Sequence, residues 1–209
     1  MIALRMAKYE SHGWLDQWYR MTKAHTLKEL KATIAPLDML FGNIMSADSD
    51  GEIFYVYNAS VPKRDPKYDW SKAVDGSDPG TEWQGYYALA DLPQLENPAT
   101  GWMENCNTSP FLLTSSGNPD PSRYPKYMVR EGDNPRGRAS MRILKENSAF
   151  TFEQWTRAAF DTHVITAVDG TPLADNSALS RYIAAKAPGV TVKLQVLRDG
   201  SERTIPVTL

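Results

Sequence analysis

The sequence predicts an α+β chain, and three observations carry that prediction. Thr26-Leu-Lys-Glu29 and Thr151-Phe-Glu-Gln154 each set a hydroxyl three residues ahead of an acid or amide, the reciprocal arrangement that opens a helix. Between them, the turn-forming Asp48-Ser-Asp-Gly51 separates two strand-like runs, 41–47 and 53–57, which read as a hairpin. From Val164 onward the pattern is strand, helix, strand, strand, punctuated by Asp-Gly pairs at 169 and 199.

Taken in order, Trp14, Leu15, Trp18 and Tyr19 share one face of a first helix. Leu27, Leu30 and Ile34 form the apolar side of the second, which Pro36 ends. Residues 61–136 hold nine of the 14 prolines in the run Pro62 to Pro125, too many for long helices. So long a stretch is not an idle loop. It reads as an extended segment tied down by Trp70, Trp83, Tyr86, Tyr87 and Trp102. Helix signals return after Pro135 with Met141, Ile143 and Leu144, and again with Trp155, Ala158, Ala159 and Phe160. The tail predicts strands at 164–168, 190–197 and 204–209 and a helix over 177–186, packed through Ile165, Leu179, Ile183, Leu194 and Val196.

The bulk numbers narrow the class of partner. Hydrophobic residues are 42% and charged residues 23% of the 209, a globular composition. A net charge of -2 and a pI near 5.9 give no surface for a polyanion, so nucleic acid is not expected as a partner. No apolar run approaches the ~20 residues of a membrane helix, and MIALRMAKYESHGW has no signal-peptide pattern. The single Cys106 excludes an intrachain disulfide and a multi-cysteine metal site. Of 22 aromatic residues only Tyr182 lies beyond Phe160, which marks a boundary between two kinds of sequence.

Several motifs then line up in one order. Asn43-Ile-Met-Ser-Ala-Asp-Ser-Asp-Gly-Glu-Ile-Phe-Tyr-Val-Tyr-Asn is followed by Val61-Pro-Lys-Arg-Asp-Pro66, Asp75-Gly-Ser-Asp-Pro79 and Glu82-Trp-Gln-Gly85. Leu92-Pro93, Asn97-Pro98, Gly101-Trp102, Asn105-Cys-Asn-Thr-Ser-Pro110, Gly132-Asp-Asn-Pro-Arg136 and Phe152-Glu-Gln-Trp155 continue the series. Together they resemble the β-subunit of penicillin acylases, nearest to those that cleave long acyl chains from lipopeptides or acyl-homoserine lactones. The resemblance implies part of an αββα N-terminal-nucleophile hydrolase core over 1–163. In that family a nucleophile at the β-subunit N-terminus, its own α-amine serving as base, attacks an amide carbonyl. The oxyanion is then held by a backbone N–H and an asparagine side chain.

By the same resemblance Asn107 is the oxyanion amide, and Arg136 orients it together with the nucleophile's amine. Arg138 is the competing match for Arg136. Without the surrounding motifs, Asn107 would read as a turn cap before Pro110. Phe41 and Gly42 correspond to the wall of the acyl pocket, which a glycine enlarges. Only Pro66 matches the calcium site of some members, so no metal and no cofactor is assigned. Cys106 has no histidine partner in the sequence and reads as a small buried filler rather than a nucleophile.

The resemblance places the nucleophile and the α-subunit upstream of Met1, making this chain an amidohydrolase piece expected to be inactive alone. Its substrate class would be acyl amides, its partners the missing α-subunit and β-subunit start, and its location periplasmic or secreted. Without upstream strands, the hairpin would expose Phe41, Ile53, Tyr55 and Tyr57. Val164-Ile-Thr-Ala-Val-Asp-Gly-Thr-Pro-Leu, Ala178-Leu-Ser-Arg-Tyr-Ile, Pro188-Gly and Val192-Lys-Leu-Gln-Val-Leu-Arg-Asp-Gly resemble the C-terminal half of a bacterial PDZ domain. That implies a second, small β-rich half-domain over 164–209. Two rival readings remain: a peptide-binding PDZ-like module, or a truncated or recombined product without activity.

Overall fold

Thr26 opens a helix because its hydroxyl accepts the Glu29 N–H, and α2 runs Leu27–Ile34. The Glu29 carboxylate reaches back to the His25 N–H rather than to Thr26, one residue beyond the reciprocal bond expected. After α2 the chain turns at Leu37, whose φ of +51° is uncommon for a side chain of its bulk. That turn delivers it to the first strand. The computed structural model describes residues 3–39, 41–57, 60–147, 149–159, 164–173, 176–198 and 201–209. The expected turn at Asp199-Gly200, the end of the fourth helix at Phe160 and His163 lie outside the described residues.

The chain divides into two units, Met1–Asn147 and Ser148–Leu209. In the first, β1 (Ile44–Ala47), β2 (Ile53–Val56) and β3 (Gln94–Glu96) form an antiparallel sheet in the order β1-β2-β3. The 41–57 hairpin is present, with Ala47 opposite Ile53 and the Asp48 carboxylate accepting the Asp50 and Glu52 N–H groups. Strand β3 has no counterpart in the sequence reading. Three residues between Pro93 and Asn97 are too few to show a period of two.

That third strand changes what the hairpin exposes. Central strand β2 is covered on both faces: Phe54, Tyr55 and Val56 are each fully buried and Tyr57 is 8% exposed. The Lys31 ammonium of α2 lies 4.6 Å from the Phe54 ring centre, so α2 covers one face. On the other, the Tyr57 hydroxyl donates to Glu131. Burial and the Glu131 carboxylate push the Tyr57 phenol well above its usual range. Of the four residues expected to be exposed, Tyr55 and Tyr57 are buried and Ile53 is partly covered; Phe41 alone projects, at 78% exposure.

Exposure moves instead to α1 (Trp14–Met21), whose apolar face points outward. Trp14, Leu15, Trp18 and Tyr19 are all exposed, while Gln17 is completely buried. The reason is a hydrogen bond: Gln17 Oε1 accepts the backbone N–H of Asp38 at 2.6 Å and of Met39 at 3.3 Å. Those two groups need an acceptor, and the only amide on the helix supplies it.

The proline-rich segment is extended, with single 3₁₀ turns at Pro79–Thr81, Leu89–Asp91 and Pro121–Arg123. It is tied down by its aromatics through a cation. The Arg64 guanidinium lies 5.2 Å, 5.3 Å and 5.7 Å from the ring centres of Trp70, Trp83 and Tyr127. Burial and the neighbouring Arg130 lower its proton affinity.

The second unit holds α4 (Phe152–Ala159), β4 (Val164–Val168), β5 (Thr171–Pro172), α5 (Asn176–Ala184), β6 (Thr191–Arg198) and β7 (Ser201–Thr208). Both bonds of the Thr151–Gln154 box form, Thr151 N–H to Gln154 Oε1 and Gln154 N–H to Thr151 Oγ1. Its sheet, all antiparallel, has the order β5-β4-β6-β7. Asp169 and Gly170, with φ of +47° and +78°, make the tight turn between β4 and β5. The buried residues are Ala167, Val168, Val192 and Val196. Val196 was expected there. Ile165, Leu179, Ile183 and Leu194 are only partly covered; at Ile165 a register shift toward Ala167 breaks the alternation of β4.

Candidate functional site

Helix α3 (Pro135–Glu146) begins where Asn134 Oδ1 accepts the Gly137 N–H and Pro135 takes the first helical position. The same Asn134 side chain donates through Nδ2 to the Cys106 carbonyl at 3.0 Å, fastening the helix start to the loop 104–109. Gly137 lets the two approach. A Cβ there would lie 2.3 Å from Thr108 Cγ2 and 3.3 Å from Glu104 Oε1.

This contact brings Asn107 and Arg136 together. Arg136 Nη2 donates to Asn107 Oδ1 at 2.9 Å. A guanidinium can only donate, so this bond settles which way the amide faces. Oδ1 meets Arg136, and Nδ2 with its two N–H groups meets no acceptor among the described residues. Arg138 turns elsewhere, its guanidinium pairing with Asp133 at 2.7 Å. Arg136 stands in the first turn of α3, where a cation opposes the helix dipole at a cost of about 0.3–1 kcal/mol. Asn107 has φ of +59°, a left-handed conformation that asparagine tolerates better than most residues.

The loop is braced from both sides. Asn105 Oδ1 accepts the Asn107 N–H at 3.3 Å and Asn43 Nδ2 at 2.9 Å, while Asn105 Nδ2 donates to the Thr108 carbonyl. The Glu104 carboxylate accepts the Cys106 N–H and the Thr108 hydroxyl, each at 3.2 Å. Cys106 is half-buried rather than buried. Burial and the nearby Glu104 raise its thiol pKa, the reverse of what a nucleophile needs.

Asn43 joins this loop to a cavity of about 920 Å³ between α1, α2 and the approach to β1, lined by Trp18, Met21, Leu27, Leu30, Phe41 and Gly42 among others. Gly42 has φ of +131°, which side chains rarely adopt, and a Cβ there would meet only Met39 Cε at 3.9 Å. The backbone demands glycine at this point, and the space beside it stays open. Among the described residues, no three His, Cys, Asp or Glu side chains converge to hold a metal ion.

Asn43, Glu104, Asn105, Asn134 and Gly137 were not singled out as site residues by the sequence. The available signal was the density of asparagines within two motifs 62 residues apart, Asn43 and Asn105.

Comparison with known proteins decides the family, since the penicillin amidase family profile matches residues 1–199. The chain belongs to the penicillin amidase family. Acyl-homoserine lactone acylase PvdQ of Pseudomonas putida strain KT2440 is 25% identical over 187 residues, covering 79% of this chain and 24% of that protein. PvdQ of Pseudomonas fluorescens strain Pf0-1 is 29% identical over 112 residues, 44% of this chain and 14% of the relative. The thermostable penicillin G acylase of Alcaligenes faecalis shares the fold at a TM-score of 0.56 and 20% identity, over 74% of this chain and 26% of that one. This penicillin amidase homologue therefore spans about a quarter of the length of the Pseudomonas putida and Alcaligenes faecalis proteins.

Proposed function

We propose that these 209 residues are the oxyanion- and acyl-binding part of an N-terminal-nucleophile amide hydrolase. In this reading Asn107 donates Nδ2–H to the tetrahedral oxyanion, and Arg136 keeps that edge of the amide turned outward. The acyl chain of a penicillin, an acyl-homoserine lactone or a lipopeptide enters the cavity beside Phe41 and Gly42. The observation that carries the reading is the Arg136–Asn107 bond at 2.9 Å, which leaves the amide's donor edge free. The chain Asn43–Asn105–Asn107 supports it by connecting the cavity wall to that donor.

In this reading the attacking group belongs to a β-subunit start outside these residues, with an α-subunit as the further partner, in an enzyme that works in the periplasm or outside the cell. Cys106, the one thiol, is not the nucleophile. Residues 164–209 read as the C-terminal half of a PDZ-like domain joined near Val164. Its support is the order strand, strand, helix, hairpin from β4 to β7, although the family match runs on to residue 199.

Titration of the chain with a long-chain acyl-homoserine lactone tests this. Saturable quenching of tryptophan emission, lost in Trp18→Phe and unchanged in Asn107→Ala, is expected, with no acyl release. No binding would remove the cavity from the reading. Stoichiometric acyl release by the chain alone would show that the nucleophile is among these residues.

A further inference from the structure

The buried carboxylate behind Asn107 has no part in the reading so far. Glu104 is 5% exposed, and no cation pairs with it among the described residues. A carboxylate so placed is costly unless each oxygen finds a donor. Oε2 takes the Cys106 N–H and Oε1 the Thr108 hydroxyl, so the two bonds bracket Asn107 by one residue on either side. Asn107 itself is left-handed, a conformation that asparagine tolerates better than most residues and that its surroundings select.

The geometry points to Glu104 as a positioning residue: by gripping Cys106 and Thr108, it holds Asn107 in the left-handed turn that presents its amide to Arg136. The functional meaning rests on the reading of Asn107 as the oxyanion amide; the grip itself does not.

The grip depends on charge. Bonds to an ionised carboxylate are shorter and stronger than those to a carboxylic acid. Burial raises the Glu104 pKa above its ordinary value, the bonds from Cys106 and Thr108 oppose that rise, and Asp133 adds to it. The groups that face it are Cys106 and Thr108 on its own loop, Asp133 ahead of α3, Gly137 in α3, and Tyr55 of β2. Because the folded pKa is raised, this group's stabilisation is fully present below the unfolded pKa and is lost as pH rises through the folded one. Loop order should run the other way, tightening as Glu104 ionises. A purely structural carboxylate would not separate the two.

Side-chain amide NMR of the full 209-residue chain reads the grip directly, with the Asn107 Nδ2 pair assigned by its loss in Asn107→Ala. From about pH 4 to about pH 8 the wild-type pair should shift, with a midpoint above the ordinary glutamate value. In Glu104→Gln the pair should stay at its low-pH position throughout, and in Glu104→Ala it should move to that of a solvent-exposed asparagine. A wild-type pair that does not titrate, or one that titrates identically in Glu104→Gln, overturns the proposal. If Glu104→Ala fails to fold, the near-isosteric Glu104→Gln decides alone. A grip that behaves as expected in a chain that binds no acyl-homoserine lactone would leave Glu104 in place and remove the acyl cavity from the proposed function.

Discussion

Strand β2 and helix α1 carry comparably apolar faces and end in opposite places. Phe54, Tyr55 and Val56 vanish from the surface, while Trp14, Leu15, Trp18 and Tyr19 stay on it. A strand in the middle of a sheet has its backbone paired on both edges and its side chains on both faces, so α2 and the proline-rich segment can each cover one side. A helix satisfies its own backbone and is oriented by whatever its neighbours need most. For α1 that need is polar: two N–H groups at Asp38 and Met39 turn Gln17 inward and the aromatic side outward. Helix α4 of the second unit also leaves Phe152 and Trp155 exposed, but it buries none of its residues and has no counterpart of Gln17.

The largest effect that would break this comparison is at Phe54. Phe54→Ala should cost about 3–5 kcal/mol, the penalty for emptying a well-packed aromatic site. Urea titration followed by tryptophan emission measures it, since five of the six tryptophans lie in the first unit. A loss below about 1 kcal/mol would mean that β2 is not the centre of the core. Gln17→Leu comes next. It leaves the Asp38 and Met39 N–H groups without their acceptor, at about 1–3 kcal/mol. If the variant were instead more stable, the outward turn of α1 would have some other cause. Smallest is Leu15→Ser on the exposed side of α1, expected to stay within about 0.5 kcal/mol of wild type in the same titration. A loss several times larger would show that this face is covered in solution.

How much of the site was legible follows the same division. Asn107 and Arg136 stood out because each sits in a motif of a recognisable series, and Phe41 and Gly42 because they directly precede its first motif. Their neighbours Glu104, Asn105 and Gly137 were equally present but silent. What Glu104 does depends on a backbone N–H two residues on and a hydroxyl four residues on meeting in a buried loop, which has no periodicity to reveal it. Gly137 matters because α3 lies against Thr108, and nothing near position 137 announces that contact.

The sequence by itself determined the local events of this protein: the Thr26 and Thr151 helix starts, the Asp48–Gly51 and Asp169-Gly170 turns, and the helices and strands they bound. Each needs only groups within about four residues of one another, so its chemistry is written side by side. Only the tertiary structure decided which side of α1 faces inward, that β3 joins the hairpin, and that Arg136 rather than Arg138 reaches Asn107. Those outcomes rest on hydrogen-bonding groups 21 to 44 residues apart, Gln17 with Asp38, Asn107 with Arg136 and Ile53 with Asn97. None of these pairs exists until the chain has folded back on itself, and at Gln17 the deciding need is an acceptor for a partly buried backbone N–H.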